Sequence, residues 1–456
     1  MTTDSLFSTC STTKAFTAAA ASLAIQDSKK TAEPINWDTP IAELIRDDCV
    51  LADEHATNHT TLEDALSHRS GLPGLVNAML WARPNESLRD AVRKLRYIPL
   101  AHAPRTTWDY CNHMYMAVSH ALEQKTGIDL GTFLEKRIWD PLGMKDTYFS
   151  IQDVAKCPKI RPRLVQGYTY VRNEGTYTPE PHMNYAPTTG AGSMVSTVQD
   201  YALWLRVLIN KSSPLSDCVF DPLIKPRSFI FDNDDLHLPR PYHLYALGWF
   251  VDTYAGNQLY WHTGSWPGSG SLVGFMPKQE FGFAVMGNSN DARAVGKAIY
   301  IHLLEKMLGL NDAAGQDSPV RTSEGSKKED ESVGSAMKRL FPDKERSHAI
   351  QHALPIEEYT GTYQHPGYGP LPLSLKEGML SANLEDRVIA TRVDLAHVNG
   401  EFFLGKSYSP SGGGIGTSYF RVRFEVGVEG RVKGVGMEIE PALKEMIWFK
   451  RDGNDC

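Results

Sequence analysis

The sequence predicts an α+β fold followed by a second domain built from β-strands. Helical patterns dominate the chain up to about residue 240. From Tyr245 onward the chain changes to short β-rich runs separated by turns, which predict successive antiparallel strands. Beyond a polar segment, residues 356–456 are almost entirely short strands with Gly turns, which predicts an antiparallel β-sandwich or barrel.

The length and net charge of the chain limit its possible functions. At 456 residues the chain can bury a large core and form two domains. Its net charge of −7 and pI near 6.1 give no basic surface typical of nucleic-acid or anionic-membrane binding. Because no apolar run reaches the length of a transmembrane helix, we expect no membrane span and no nucleic-acid partner.

The cysteines and the N-terminus predict a location. Six cysteines are scattered without a CxxC pair, which predicts free thiols in a reducing compartment. Residues 1–10 are polar and do not form a signal peptide. We therefore expect a soluble, cytoplasmic protein, on the assumption that the N-terminus is complete.

A long helix is expected at the N-terminus. The run from Thr12 to Gln26 is rich in alanine and contains neither Gly nor Pro. Thr61 and Asp64 predict a capping box at the start of another helix, and Gly127 predicts the end of a third. Further helices are expected at residues 41–45, 86–97, 130–144, 198–210 and 295–309.

Four β-rich runs make up the predicted sheet, at residues 246–255, 257–264, 269–278 and 281–289. A polar, charged segment at 311–335 has the composition of a linker. We therefore predict a first domain at residues 1–310, a linker with a short helix at 311–355, and a β-rich domain at 356–456.

Ser11 and Lys14 stand three residues apart at the start of the first helix, a spacing that places them on one helix face. Unpaired N–H groups at a helix N-terminus favour a developing negative charge. A serine becomes a nucleophile when a base takes its proton, and a lysine is such a base only where burial lowers its pKa. The alternative interpretation is a helix cap followed by an exposed lysine.

Tyr110 and Asn112 precede a predicted helix. A phenol at this place can transfer a proton between a serine and a leaving group if nearby cations lower the phenol's pKa. The alternative interpretation is a core tyrosine followed by an asparagine cap.

His262, Thr263 and Gly264 lie in a predicted strand, directly before Ser265. A strand beside a nucleophile offers a backbone N–H to an oxyanion, and a glycine lets a substrate approach that strand edge closely. The alternative interpretation is a strand end with a surface histidine.

Other motifs carry no predicted chemistry. Residues 68–73, His-Arg-Ser-Gly-Leu-Pro, are interpreted as a tight turn, and Gly190-Ala191-Gly192 as close backbone packing that lines a pocket. The sequence has neither a G-x-S-x-G nor an H-E-x-x-H motif, and His55 and His59 lack a third ligand. We predict no metal and no cofactor.

Three motifs follow one another in a recognisable order. Ser11-Thr12-Thr13-Lys14, Tyr110-Cys111-Asn112 and His262-Thr263-Gly264 reproduce Ser-x-x-Lys, Tyr-x-Asn and (Lys/His)-Thr-Gly. The chain thereby resembles the serine β-lactamase and penicillin-binding-protein-like superfamily, and most closely its class C β-lactamase, esterase and D-aminopeptidase branch. The segments FSTCSTTKAFTA, LSHRSGLPG and GAGSMVSTVQDYALW are also similar, so that the resemblance covers residues 4–305.

This resemblance implies an antiparallel sheet flanked by helices, a helical subdomain that includes Tyr110, and a site between the two. It also implies an acyl-enzyme formed with an ester or amide. By this resemblance, Ser11 is the nucleophile, Lys14 is its base, and Tyr110 is the acid for the leaving group and later activates water. Asn112 positions the substrate and His262 lines the pocket. The backbone N–H groups of Ser11 and Ser265 form the oxyanion hole.

One departure bears on the substrate. His262 stands where lactam-hydrolysing members usually have lysine, and the loss of a fixed cation weakens recognition of a substrate carboxylate. We therefore expect a substrate other than penicillin. Residues 356–456, with Tyr359-Thr360-Gly361-Thr362-Tyr363, resemble the lipocalin-like β-domain that follows some hydrolases of this branch.

Three functions are compatible with the sequence. The leading one is a serine hydrolase that acts on a small-molecule ester or amide through an acyl-enzyme. An acyltransferase of the same fold would pass the acyl group to an alcohol or amine instead of water, a difference that lies in pocket shape and water exclusion. A truncated, non-catalytic relative would only bind a ligand. The sequence leaves the oligomeric state open.

A second departure lies upstream of Ser11, where the superfamily usually has a helix and two strands and this chain has ten residues. A sheet without those strands exposes apolar surface and unpaired edges. We therefore predict a protein of low solubility or weak stability. Cooperative thermal unfolding with a high midpoint, measured by circular dichroism, would contradict this.

Overall fold

A computed structural model describes residues 1–74, 76–171, 174–231, 242–289, 291–310, 331–342, 350–410 and 416–453. The α-helices in this part of the chain are α1 (Thr13–Ser28), α2 (Ile41–Leu44), α3 (Glu54–His59), α4 (Leu62–Leu66), α5 (Val76–Leu80), α6 (Leu88–Arg93), α7 (Asn112–Thr126), α8 (Leu130–Leu134), α9 (Asp140–Leu142), α10 (Ile151–Ala155), α11 (Thr189–Gly192), α12 (Val198–Asn210), α13 (Asp217–Ile224), α14 (Ala292–Met307) and α15 (Val333–Leu340).

The strands of the described residues form four sheets. They are β1 (Phe7–Ser8), β2 (Gly167–Val171), β3 (Thr176–Glu180), β4 (Val195–Ser196), β5 (Ser228–Phe229), β6 (Leu244–Tyr245), β7 (Phe250–Tyr254), β8 (Asn257–Trp266), β9 (Ser269–Met276), β10 (Phe281–Gly287), β11 (Gly361–His365), β12 (Gly369–Lys376), β13 (Met379–Leu384), β14 (Thr391–Asn399), β15 (Phe402–Tyr408), β16 (Ser418–Val426), β17 (Val432–Met437) and β18 (Ile447–Arg451).

The first region is an α+β fold around an antiparallel sheet of six strands in the order β10-β9-β8-β7-β6-β5. The four runs predicted as strands are β7 to β10, each paired with its neighbour in sequence. Helices α12 and α14 pack on β9 and β10, and α1 packs on α7, α8, α11 and α13. The predicted antiparallel sheet flanked by helices is confirmed.

Helix α1 lies at the centre of this region, because every residue from 12 to 25 is buried. A helix buried on all sides must be apolar on all sides, and its small alanines allow close contact with neighbouring segments. Gly248, with a φ of +78°, lies so near that an added Cβ would be 2.8 Å from the Lys14 carbonyl oxygen. Only glycine fits there without displacing the backbone.

Helix ends follow local chemistry. The predicted capping box is present, since Thr61 Oγ1 accepts the Asp64 N–H and the Asp64 carboxylate accepts the Thr61 N–H. Gly127, at φ +73°, ends α7 as predicted. The helix expected at 86–97 is instead α6 followed by a 3-10 turn, Lys94–Tyr97.

Helix α14, which packs beside the edge strand β10, has an exposed apolar face. Strand β10 pairs with β9 on one edge, and no other strand of the described residues pairs with its other edge. Helix α14 exposes Val295, Ile299 and Leu303, which recur at four-residue spacing on one face. The predicted low solubility stays a prediction.

The second region is a closed antiparallel barrel of eight strands, β11 to β18. Tyr363 on β11 and Phe424 on β16 belong to strands that are not neighbours, yet their ring centroids are 6.0 Å apart. Their rings therefore meet across the interior, which a barrel of this size fills with side chains. Among the predicted Gly turns, the run Gly412-Gly413-Gly414 lies outside the described residues, as do residues 311–330 and 343–349 of the predicted linker.

The barrel contacts the first region next to α5. The Val388 N–H donates to the Ala82 carbonyl (2.9 Å) and the Ile389 N–H to the Leu80 carbonyl (3.2 Å). Trp81 packs edge-on against Tyr368, with ring centroids 6.5 Å apart. One cluster of buried apolar side chains accordingly extends from the helices into the barrel.

Two further observations concern the predicted location. Among the described residues, no helix combines the length and the apolar character needed to span a bilayer. Cys10, Cys49, Cys111, Cys157 and Cys218 are free thiols. The cytoplasmic location stays a prediction.

We predict that Phe16→Ala lowers the free energy of unfolding by about 3–5 kcal/mol, because it empties a fully buried site. The Phe16 ring stacks on Trp204, with centroids 4.2 Å apart. Tyr97→Ala is the control, because that ring is 48% exposed and its loss should cost less than about 1 kcal/mol. Urea unfolding measures the change in the free energy of unfolding for each variant. Equal changes in the two variants would contradict the burial of α1 at the centre of the first region.

Candidate active site

Ser11 lies in the 3-10 turn Cys10–Thr12 that leads from β1 into α1. Side-chain hydrogen bonds hold this turn, with Thr13 Oγ1 donating to the Cys10 carbonyl (2.7 Å) and Thr12 Oγ1 to the Thr9 carbonyl (2.9 Å). Cys10 has a φ of +49°, an uncommon conformation for a residue other than glycine. The half-buried Ser11 is thereby fixed at the helix N-terminus.

Lys14 is fully buried one turn further along α1. Its Nζ lies 3.2 Å from Ser11 Oγ, 2.7 Å from Asn112 Oδ1 and 2.6 Å from the Ala191 carbonyl oxygen. Burial is the largest effect on this amine and lowers the pKa of Lys14 well below its usual 10.5. The sequence-based alternative of an exposed lysine is therefore wrong.

The protonation state of Lys14 decides the direction of its hydrogen bonds. A neutral amine has two N–H groups and one lone pair. The oxygens of Asn112 and Ala191 can only accept, so they take the two N–H groups. In the neutral amine the remaining lone pair faces Ser11 and accepts its O–H, which is the arrangement that a general base for Ser11 requires. In the protonated amine, Nζ donates to all three oxygens, Ser11 Oγ included.

Tyr110 approaches the same hydroxyl from the loop before α7. Its ring centroid lies 4.7 Å from Lys14 Nζ, and Ser11 lies near enough to influence the pKa of the phenol. Burial raises the pKa of Tyr110 above its usual 10, and Ser11 opposes this more weakly. The lowering of this pKa by nearby cations, on which the sequence-based interpretation depends, is not found among the described residues, and the phenol keeps its proton at neutral pH.

Asn112 contacts Lys14 rather than an open pocket. As the first residue of α7, it aims its Oδ1 at Nζ from across the site. Substrate positioning, the role implied for Asn112, stays a prediction, whereas its contact with Lys14 is what the structure shows.

The predicted strand residues lie on β8. Strand β7 pairs with β8 only as far as Trp261, and beyond that point β8 packs on the Cys10–Thr12 turn. An added Cβ at Gly264 would lie 2.2 Å from the Thr9 carbonyl oxygen, so this approach requires glycine. Thr263 and Ser265 flank that glycine, which brings the Ser265 backbone to the segment that carries Ser11.

His262 is 1% exposed and is not a surface residue. Its Nδ1 lies 2.6 Å from the Thr263 carbonyl oxygen and its Nε2 lies 3.0 Å from Tyr245 Oη. Because a carbonyl can only accept, Nδ1 carries a proton, and Nε2 shares a hydrogen bond with the tyrosine hydroxyl. These two hydrogen bonds orient the imidazole.

Two contributors to the site were not predicted as such. The Ala191 carbonyl accepts a hydrogen bond from Lys14, and Gly190 before it packs so tightly that an added Cβ would lie 2.3 Å from Ser119 Oγ. The sequence signal for this segment was the small-residue run alone. His68, assigned to a tight turn, is buried with its ring centroid 4.3 Å from that of Tyr110.

A cleft of about 370 Å³, partly open to solvent, lies beside the site. It is lined by the residues that precede Ser11, by the turn after β8 and by the segment after β3, including Phe7, Ser8, Glu180, His182, Met183, Trp266 and Ser269. None of the predicted site residues lines this cleft. Among the described residues, no cluster of three or more His, Cys, Asp or Glu side chains is suited to a metal ion.

Comparison with known proteins agrees with this geometry. Residues 1–306 match the family described as Beta-lactamase. The chain belongs to the beta-lactamase family. Residues 345–451 match a second family, described as a domain of unknown function, DUF3471.

The similar proteins include hydrolases. An unguisins hydrolase of Aspergillus campestris is 34% identical, over 100% of this chain and 84% of the relative. The octameric penicillin-binding protein homologue from Pyrococcus abyssi has a TM-score of 0.57 at 19% identity, covering 98% of this chain and 89% of that one. The D-amino acid amidase from Ochrobactrum anthropi has a TM-score of 0.52 at 24% identity, covering 67% and 94%. The predicted resemblance is confirmed. The unguisins hydrolase supports a hydrolase, and the two solved structures show the fold.

We predict that Lys14 makes stability depend on pH. Its pKa is lower in the folded than in the unfolded chain, so between those two values the unfolded state binds more protons. Folding then carries a penalty at neutral pH that disappears as the pH rises through about 10.4. Relative to Lys14→Met, the free energy of unfolding of the wild-type protein should rise by up to about 1.4 kcal/mol per pH unit in that range.

Urea unfolding between pH 6 and pH 10 would measure this slope, with Lys29→Met as the control, because Lys29 is an exposed lysine at the opposite, C-terminal end of the same helix. A wild-type curve parallel to that of Lys14→Met would mean that Lys14 is charged in the folded protein.

Proposed function

We propose that this chain is a serine hydrolase that acts on an uncharged ester or amide through an acyl-enzyme on Ser11. The observation that carries the proposal is the approach of two groups to one hydroxyl. Nζ of the buried Lys14 lies 3.2 Å from Ser11 Oγ, and Tyr110 lies near enough to Ser11 for this serine to influence the pKa of the phenol.

In the first half of the proposed reaction, Lys14 Nζ takes the Ser11 proton while Oγ bonds to the substrate carbonyl carbon. The backbone N–H groups of Ser11 and Ser265 would stabilise the oxyanion, with support from the N-terminal end of α1. Tyr110 gives its proton to the leaving alcohol or amine as the carbonyl–leaving-group bond breaks, and the protonated Lys14 returns a proton to Tyr110.

In the second half, Tyr110 passes its phenol proton to Lys14 Nζ as it accepts a proton from the water molecule whose oxygen attacks the acyl carbon, and the protonated Lys14 is the donor for the leaving Ser11 Oγ. Ser11 Oγ then leaves and regains its proton. The reaction is balanced with water as the co-reactant, and the acid and base roles of Tyr110 reverse between the two halves.

The residue type at this place on the strand favours an uncharged acyl group. His262 stands where a lysine would supply a permanent charge, and its ring nitrogens bond to the Thr263 carbonyl and to Tyr245 Oη. An imidazole offers no fixed cation to a substrate carboxylate. The names of the relatives, an unguisins hydrolase and a D-amino acid amidase, support hydrolysis and, for the second, an amide substrate.

We predict that a fluorophosphonate probe labels the wild-type protein at Ser11, and that Ser11→Ala abolishes labelling and lowers ester turnover at least about 10³-fold. Ser193→Ala is the matched control, since that half-buried hydroxyl donates to the Thr189 carbonyl (2.7 Å) and not to the site. Peptide mass spectrometry locates the label. Labelling of Ser11→Ala at wild-type rate would remove Ser11 from the mechanism, and an unlabelled wild-type protein would favour a binding function.

A further inference from the structure

A turn at residues 67–71 holds the loop that carries Tyr110. Backbone hydrogen bonds join the two segments at several points, among them the Ala101 N–H to the Gly71 carbonyl (2.9 Å), the Arg105 N–H to the Arg69 carbonyl (2.8 Å) and the Asp109 N–H to the His68 carbonyl (3.0 Å). The loop therefore takes its position from this turn before it reaches the site.

Charged side chains reinforce the same junction. The buried Asp64 carboxylate accepts hydrogen bonds from Arg69 Nη2 (3.3 Å) in the turn and from Arg105 Nη2 (2.8 Å) in the loop. Hydrogen bonds to a charged group are stronger than neutral ones. One carboxylate thus ties the turn to the loop.

His68 is the residue of the turn that reaches the site. It is 1% exposed, and its Nδ1 lies 3.0 Å from the Cys111 backbone nitrogen. A backbone N–H can only donate, so Nδ1 accepts and the ring proton is on Nε2. The ring lies against Tyr110, with centroids 4.3 Å apart and an interplanar angle of 35°.

Two features of His68 work against stability. Its φ of +60° is uncommon for a residue other than glycine. Its Nε2 is buried without a hydrogen-bond partner among the described residues, which ordinarily destabilises a folded protein. Strained backbones and unsatisfied buried donors that persist in folded proteins occur preferentially at functional sites.

We propose that His68 is a positioning residue for Tyr110, because its imidazole supports the phenol ring on one side and fixes the backbone on the C-terminal side of Tyr110 through the Cys111 N–H. The inference rests on the proposed function, since it gives Tyr110 the role of leaving-group acid. His68 itself does not touch the reacting atoms.

The neutral state of His68 is part of this support. Burial is the largest effect on this imidazole and lowers the pKa of His68 well below its usual 6.5. A protonated ring would carry a proton on Nδ1 and would lose its hydrogen bond from Cys111. Neutrality therefore keeps the acceptor available.

The experiment compares two esters in His68→Phe and His68→Asn. Ethyl butyrate has a poor leaving group and depends on proton donation by Tyr110, whereas p-nitrophenyl butyrate does not. We expect His68→Phe to lower kcat on ethyl butyrate by about 10- to 100-fold with KM within about threefold, and to change kcat on the nitrophenyl ester by less than about threefold. His68→Asn should stay within about threefold of wild type on both, because asparagine tolerates a positive φ and its Oδ1 can accept the Cys111 N–H.

Two further variants separate positioning from general stability. Ser70→Ala removes the Leu72 N–H···Oγ hydrogen bond (3.3 Å) within the same turn and should leave both rates unchanged. If His68 acts through Tyr110, adding His68→Phe to Tyr110→Phe should cost no further activity. Should His68→Phe fail to fold, His68→Gln replaces it, because the longer amide moves the acceptor away from the Cys111 N–H.

Equal losses on the two esters, failure of His68→Asn to restore the rate, or additive losses in the double variant would each overturn the inference. Failure of the proposed function is recognised separately, because the wild-type protein would then not be labelled at Ser11 by the fluorophosphonate probe.

Discussion

The structure depends on the burial of one amine. Lys14 lies in a helix that is buried on every side, and its Nζ contacts three oxygens, those of Ser11, Asn112 and Ala191. Two of these oxygens can only accept a hydrogen bond, so in the neutral amine they leave the lone pair for Ser11. One backbone carbonyl and one asparagine amide thus orient the amine without placing a counter-charge beside it, and a counter-charge would raise its pKa.

The elements around Lys14 follow from this requirement. Three sequence-distant segments must closely approach α1 or the turn before it. They carry Asn112, Ala191 and the strand edge at Gly264. Alanines on α1 and glycines at positions 190, 248 and 264 provide the space. The same segments also exclude water from Nζ, and this exclusion lowers the pKa of Lys14.

The parts of the fold that rest on local periodicity could be predicted from the sequence. The long first helix, the succession β7 to β10 and the β-rich C-terminal region all have patterns that repeat within a few residues. The proximity of the Ser11 and Lys14 side chains was predictable for the same reason, because residues three apart in a helix lie on the same face.

Contacts between distant segments were not predictable in this way. Nothing in the local sequence indicates that Asn112 Oδ1 faces Lys14, or that a histidine in a Gly- and Pro-containing turn lies under Tyr110. The condition placed on the pKa of Tyr110 also failed for a tertiary reason, because burial of the phenol raises this pKa.

The hydrogen bonds between the barrel and residues 80–82 have a thermodynamic consequence. If the barrel unfolded alone, the Leu80 and Ala82 carbonyls would lose their partners and Trp81 would face solvent. The melting of one region is therefore coupled to the integrity of the other, and a single denaturation midpoint describes the joined pair rather than either part. Substitutions inside the barrel can therefore change the stability of the candidate active site without contacting it.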